Sequence, residues 1–192
     1  MNKGDLIIIP TDTVYGLAAK LYDEEALKKI FEIKGREQSK QIPILCHDMT
    51  DLIDIVKLDQ VSLFLMKQFW PGPISFVFNT TEKFHQLTGE KTIAARIPNH
   101  PKALEIIKKY GVLRVTSLNK SGEPPLSDIN EIKDQFGSMI DEIYEQTEVQ
   151  SHVSSTVVDL TVKPLKILRQ GTITDESIKN ALNTLQSYND CK

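Results

Sequence analysis

Pro10-Thr11-Asp12-Thr13-Val14-Tyr15-Gly16-Leu17, followed by Lys34-Gly35-Arg36, is the stretch around which this chain is organised. The apolar run 6–9, rich in isoleucine, is too short for a helix and predicts a buried strand. It stops at a proline and gives way to small hydroxyl and acidic residues, the signature of a strand opening into a polar loop. From Asp23, residues Ala26, Leu27, Ile30, Phe31 and Ile33 fall at roughly helical spacing. Asp23, Glu24 and Glu25 favour the N-terminal end of that helix, and Gly35 can end it. The helix delivers Lys34 and Arg36 beside the loop. A polar loop at a strand terminus with cations next to it suits an anionic small molecule.

Working outward, 41–46 reads as a strand, and 51–56 and 61–69 as helices, the second stopped by Pro71-Gly72-Pro73. Residues 74–78 alternate into a strand, and 92–97 follow as another after a polar loop. Pro101 opens a helix that Gly111 ends, since a missing N–H costs nothing in the first turn. Residues 112–116 return as a strand. Ser127 or Asp128 caps a helix ending near Gly137, and 140–144, 156–160 and 166–169 read as strands. A last helix starts near Thr174-Asp175, with 188–192 a frayed tail. Strands mixed with helices, some joined without an intervening helix, predict an α/β domain with a mixed sheet.

With 192 residues, 40% of them hydrophobic, the chain suits one domain spanning 1–192. A net charge of −3 gives no general electrostatic attraction to nucleic acid. Cys46 and Cys191 fit no metal spacing and read as a reduced pair. No apolar run approaches ~18 residues and no leader is visible, so the expected location is cytoplasmic.

Further motifs join the first two: Trp70-Pro71-Gly72-Pro73, Ala94-Ala95-Arg96-Ile97-Pro98, Ser117-Leu118-Asn119-Lys120-Ser121-Gly122, Ser155-Thr156-Val157-Val158-Asp159 and Ile167-Leu168-Arg169-Gln170-Gly171. In this order and spacing the set resembles the YrdC/TsaC family of threonylcarbamoyl-AMP synthases in its single-domain form. The resemblance runs from about Leu6 to Gly171. It implies a twisted open mixed sheet with flanking helices and a concave ligand-binding face. The implied reaction joins L-threonine, bicarbonate or CO₂, and ATP into threonylcarbamoyl-AMP, releasing pyrophosphate, as the first step towards threonylcarbamoyladenosine in tRNA.

By the same resemblance, Lys34, Arg36, Ser117 and Asn119 form the catalytic set near the phosphates and the reacting carbamate. Thr13, His47, Arg96, Ser117 and Ser155 surround threonine. Arg36, Lys40, Thr92, Asn119, Ser127 and Arg169 surround ATP. Mg²⁺ arrives with ATP, and no carboxylate cluster predicts a tightly bound metal. The implied partners are the downstream tRNA threonylcarbamoyl transferase proteins, with direct tRNA or double-stranded RNA binding weak and no membrane association.

Each motif also has a plainer explanation. Lys34 and Arg36 could simply favour a helix C-terminus, the Thr11–Thr13 hydroxyls could satisfy turn backbone, and the Trp70 motif is best taken as a core aromatic with a rigid turn. The chain departs from the family pattern at Leu118, where alanine is common, at Glu37 and at Pro125-Leu126. These departures keep open a YciO-like paralogue that binds nucleotide or double-stranded RNA with weak or different activity. If 112–117 is a strand, Ser117 and Asn119 project to one side and Leu118 to the other, into the core.

Overall fold

The computed structural model describes residues 1–35, 41–119, 124–145, 151 and 153–190. Among them run strands β1 (Ile7–Ile9), β2 (Gly16–Lys20), β3 (Ile44–Leu45), β4 (Ile74–Asn79), β5 (Thr92–Arg96), β6 (Leu113–Ser117), β7 (Glu142–Ile143), β8 (Thr156–Asp159) and β9 (Lys166–Arg169). The helices are α1 (Glu24–Lys34), α2 (Gln60–Phe69), α3 (Glu82–Thr88), α4 (Pro101–Tyr110), α5 (Ile129–Phe136) and α6 (Asp175–Asp190). All the strands join one sheet in the order β7-β1-β2-β6-β3-β5-β4-β8-β9. The β1–β7, β3–β5 and β4–β8 pairs are parallel and the others antiparallel. This is the open mixed sheet that the alternation of elements predicts.

Local chemistry sets the helix limits. Asp23 accepts the Ala26 N–H at 3.0 Å and so caps α1. Gly35 ends the helix at φ 56°, a left-handed conformation that strains any residue with a Cβ. Asp59, Thr81 and Asp128 cap α2, α3 and α5 in the same manner as Asp23. His100 caps α4, with Pro101 in its first turn.

Register divides the sheet into two faces. Arg96, Leu45 and Leu113 stand opposite one another across β5, β3 and β6, and Val115 and Ser117 oppose Ala18 and Gly16 of β2. In-register partners share a face. Ile106 and Ile107 of α4 pack on part of this face with Leu113 and Val115. The other face presents Ala19, Arg114, Ile44, Ala95 and Phe76 and carries the larger cores beneath the remaining helices. Trp70 anchors one of those cores: its ring centroid lies 5.4 Å from Phe76 and 6.3 Å from Phe78, and its indole N–H donates to Ile74 O at 2.8 Å. Such aromatic pairs add about 0.5–1.5 kcal/mol each beyond their buried area. The Trp-Pro-Gly-Pro motif is therefore structural, as its plain reading held.

Several elements differ from the sequence reading. β2 lies in a stretch with no strand signal, because Gly-Leu-Ala-Ala-Lys has little β preference. Small residues are required there: a Cβ on Gly16 would meet Val115 Cγ1 at 2.4 Å. α3 lies in a segment read as a polar loop, since Phe84 is its one buried residue and no periodic apolar stripe exists. The 51–56 helix is replaced by a 3-10 turn over Met49–Leu52, and 41–46 and 140–144 contract to the two-residue strands β3 and β7.

Leu118 is buried at 1% exposure among Leu6, Tyr15, Leu17, Ile30 and Ile42, while Ser117 faces the opposite side. The bulk of leucine fills the core and leaves the flanking Ser-Asn pair its aim. Leu118→Ala is expected to lower unfolding free energy by about 2–5 kcal/mol in urea titration and to leave ligand affinity in the cleft unchanged. A variant that keeps its stability and gains affinity would show that Leu118 obstructs the cleft.

Candidate functional site

The loop after β1 is built by one hydroxyl. Thr11 Oγ1 donates to Val14 O at 2.6 Å and accepts the N–H groups of Thr13 and Val14, both at 3.2 Å. Thr11 and Thr13 hydroxyls lie 3.0 Å apart. A hydroxyl has one proton, and that of Thr11 is taken by Val14, so Thr13 is the donor of this pair. Thr13 therefore offers the cleft an acceptor, not a donor.

Arg96, at the end of β5, reaches this loop and ties it to the far turn. Its Nε donates to Gly72 O at 2.8 Å, one terminal nitrogen to Thr13 Oγ1 at 2.9 Å, and the other to the Asp12 carboxylate. Only 5% of the residue is exposed. Burial pulls its pKa below the ordinary arginine value, the Asp12 carboxylate works in the opposite direction, and nearby Arg169 adds to the lowering. A guanidinium stays protonated even so. Asp12 is its compensating charge.

Arg169, on β9, is held by one residue. Its Nε donates to Ser155 O at 3.0 Å and a terminal nitrogen to Ser155 Oγ at 3.1 Å. Ser155 Oγ in turn lies 3.0 Å from Ser75 Oγ. No carboxylate pairs with Arg169 among the described residues. The residue as a whole is exposed, and partial desolvation of its guanidinium lowers its pKa. The two arginines thus differ: Arg96 carries its own counter-ion, and Arg169 has none among the described residues.

Lys34 closes the other end. As the buried last residue of α1 it donates to Ser117 O at 2.5 Å, Asn119 O at 2.9 Å and Asn119 Oδ1 at 2.9 Å. Ser117 Oγ donates to the same Asn119 Oδ1 at 2.7 Å. An ammonium has three hydrogens, and all three of these acceptors belong to the end of β6 and the residues just after it. Lys34 therefore fixes the end of β6, and the Ser117 hydroxyl, its proton spent, also faces the cleft as an acceptor.

These groups surround a cavity of about 250 Å³ on the face that α4 leaves open, lined among others by Thr13, Ser75, Arg96, Ser117, Ser155 and Arg169. A larger hollow of about 650 Å³ lies on the opposite face between α1 and α3, walled by Leu21, Tyr22, Leu27, Phe31 and Leu87. Size favours the second, whose walls also carry Lys83, Thr88 and an Arg114 already paired with Glu90, but the motif hydroxyls and arginines scattered over the sequence converge on the first, and selective recognition of a polar ligand needs such convergence.

The expected residues divide accordingly. Thr13, Arg96, Ser117, Ser155 and Arg169 line the cleft, and Lys34 and Asn119 bond to one of its walls. Thr92 stands one residue back, its hydroxyl 3.4 Å from Gln41 Oε1, and Gln41 lines the cleft. His47 and Ser127 do not line it; Ser127 is exposed just before the α5 cap. Arg36 and Lys40 lie outside the described residues. Sequence reasoning overlooked Asp12, which it read only as part of a polar loop, and Ser75, a polar residue inside an otherwise apolar strand. No group of three or more His, Cys, Asp or Glu side chains placed to hold a metal exists among the described residues.

Fold and site together are a mixed-sheet domain with an open face, a buried Arg96, an exposed Arg169 and a clamped lysine around a small hydroxylated cleft. The family model for Sua5, YciO and YrdC proteins, described as telomere recombination, matches residues 1–171, and the chain belongs to that family. It is 33% identical over 192 residues to the threonylcarbamoyl-AMP synthase of Pyrococcus abyssi, covering 98% of this chain and 56% of that one. The chain thus spans little more than half the length of that relative. The crystal structure of P. abyssi Sua5 complexed with L-threonine superposes with a TM-score of 0.86 at 34% identity, covering 93% of this chain and 54% of that one. The crystal structure of Escherichia coli YciO gives 0.82 at 29% identity, covering 92% and 87%.

The Lys34 clamp makes a prediction that does not depend on activity. Lys34→Met, of similar length but without donors, leaves Ser117 O and Asn119 short of partners and is expected to cost about 2–3 kcal/mol in urea unfolding. A change under about 0.5 kcal/mol, the range of ordinary surface substitutions, would show that the contacts carry no load.

Proposed function

We propose that this cleft binds L-threonine beside MgATP and that the protein joins threonine, bicarbonate or CO₂, and ATP into threonylcarbamoyl-AMP, releasing pyrophosphate. The observation that carries the reading is the polarity of the cleft. Donors gather at Arg96 and Arg169, beside the Ser75–Ser155 hydroxyl pair, and acceptor-only hydroxyls stand at Thr13 and Ser117. A zwitterionic amino acid has the same division. Its carboxylate suits the guanidinium side, and its amine suits the hydroxyls. Its reacting nitrogen then lies towards Ser117, Asn119 and Lys34, where the resemblance puts the phosphates.

The chemistry follows from that arrangement. The amine, freed of its ammonium proton, attacks the carbon of CO₂ with loss of a second proton, or of bicarbonate with loss of water, and an oxygen of the resulting carbamate attacks the α-phosphate of ATP as pyrophosphate leaves. An anionic carbamate approaching a polyanion at about 4 Å is repelled by about 4 kcal/mol per unit-charge pair at an effective dielectric of 20. Fixed cations and oriented donors offset this, so catalysis here is positioning and charge stabilisation, with no covalent enzyme intermediate. Among the described residues the cleft offers cations and hydroxyls, and on this reading Mg²⁺ enters as part of the nucleotide. The product would be consumed by transferase proteins that modify tRNA, and this chain need not itself hold the RNA. No described helix is long and apolar enough to cross a membrane.

A second reading, a YciO-like protein of different activity, draws on the match to E. coli YciO over 87% of that protein's length. Pyrophosphate release with threonine, bicarbonate and ATP, each omitted in turn, separates the two. The synthase reading expects release only when all three are present, strong loss with serine and almost none with valine. A site built around a hydroxyl rejects the analogue lacking it by roughly 10⁴-fold or more. Equal rates with valine, or release independent of any amino acid, would overturn it.

A further inference from the structure

We propose that Ser75, to which nothing above gives a role, is the terminal donor of a relay running from Arg169 through Ser155 to Ser75, and that the relay holds a carboxylate-type oxygen in the cleft. The proposal rests on the reading of the cleft as the site of threonine and bicarbonate.

The argument is a proton inventory. Ser155 Oγ accepts from the Arg169 guanidinium at 3.1 Å and lies 3.0 Å from Ser75 Oγ. Two hydroxyls carry two protons, and their mutual bond uses one. One proton is left over whichever hydroxyl donates, and it needs an acceptor. The cation decides the direction. A guanidinium donating to Ser155 polarises that hydroxyl and makes it the better donor towards Ser75, since hydrogen bonds in a chain strengthen one another when they run the same way. The remaining proton then belongs to Ser75.

Its position fits the role. Ile74 and Phe76 belong to the apolar core, and strand alternation turns Ser75 onto the cleft face, where it lines the cavity at 6% exposure. Arg169, exposed on β9, has no carboxylate partner among the described residues, so an oxygen received by the relay is linked to a positive charge two hydroxyls away. That selects an anionic oxygen over a neutral one. Two sources supply such an oxygen here: the carboxylate of the amino acid, and bicarbonate. The plainer role for the pair, a cross-link between β4 and the start of β8, would affect folding and leave ligands alone.

Calorimetric titration with L-threonine and with L-threoninol, which replaces the carboxylate by a hydroxymethyl group, separates these roles. Ser75→Ala is expected to bind threonine about tenfold more weakly and threoninol within about twofold of wild type, and Ser75→Thr to recover most of the loss. If bicarbonate supplies the oxygen, threonine affinity holds in Ser75→Ala and the bicarbonate KM for pyrophosphate release rises by about tenfold instead. Either result supports the relay. Ser75→Ala equal to wild type in both measurements overturns it, whatever its melting temperature. Should Ser75→Ala not fold, Ser75→Cys replaces it, because a thiol of similar size is a weak donor. A wild-type protein that binds no threonine and releases no pyrophosphate refutes the underlying reading, and the relay with it.

Discussion

A guanidinium buried at the centre of the open face cannot shed its proton and cannot be left without a counter-charge. The Asp12–Arg96 pair meets that constraint, and much of the site's geometry depends on it. Arg96 joins the loop after β1 to the turn before β4, two segments far apart in sequence, through Thr13, Asp12 and Gly72 O. Removing one partner of a buried ion pair typically costs about 3–5 kcal/mol, because the other remains desolvated and uncompensated. The pair therefore gives the Thr-rich loop a fixed position that turn chemistry alone would not supply.

Stability and function are divided between the cations. Arg96 is neutralised within the protein, and Lys34 donates to the end of β6 and the residues just after it. Among the described residues, Arg169 is held by one serine's carbonyl and hydroxyl. On the proposed function, a ligand's negative charge gains from the cation that has no carboxylate partner among the described residues, Arg169.

Much of this was legible in the sequence, for identifiable reasons. Strong local signals gave the right elements: the Asp23 cap with Gly35, Pro101 with Gly111, and the isoleucine run of β1. Where the signal was tertiary, reading failed. β2 is a strand because Val115 lies close against Gly16 and its neighbours pair with β6, not because its residues favour extension. α3 is a helix with a single apolar anchor. The motif residues Thr13, Arg96, Ser117, Ser155 and Arg169 do converge, though they are scattered over the chain, while His47 and Ser127 stand apart from the cleft. Asp12 and Ser75 escaped notice because their importance lies in a partner: one neutralises Arg96, the other completes a hydroxyl pair, and neither relation leaves a mark in local spacing. The outward aim of Ser117 and inward aim of Leu118, by contrast, followed from strand alternation alone.

The central claim is that the cleft is polarised, with donors around the arginines and acceptors at Thr13 and Ser117. A crystal structure of the protein with L-threonine tests it most directly. The account predicts threonine in this cleft, its carboxylate within hydrogen-bond reach of the Arg96, Arg169 and Ser155 side and its amine towards Thr13 and Ser117. Threonine seated in reverse, or found instead in the hollow between α1 and α3, would contradict it.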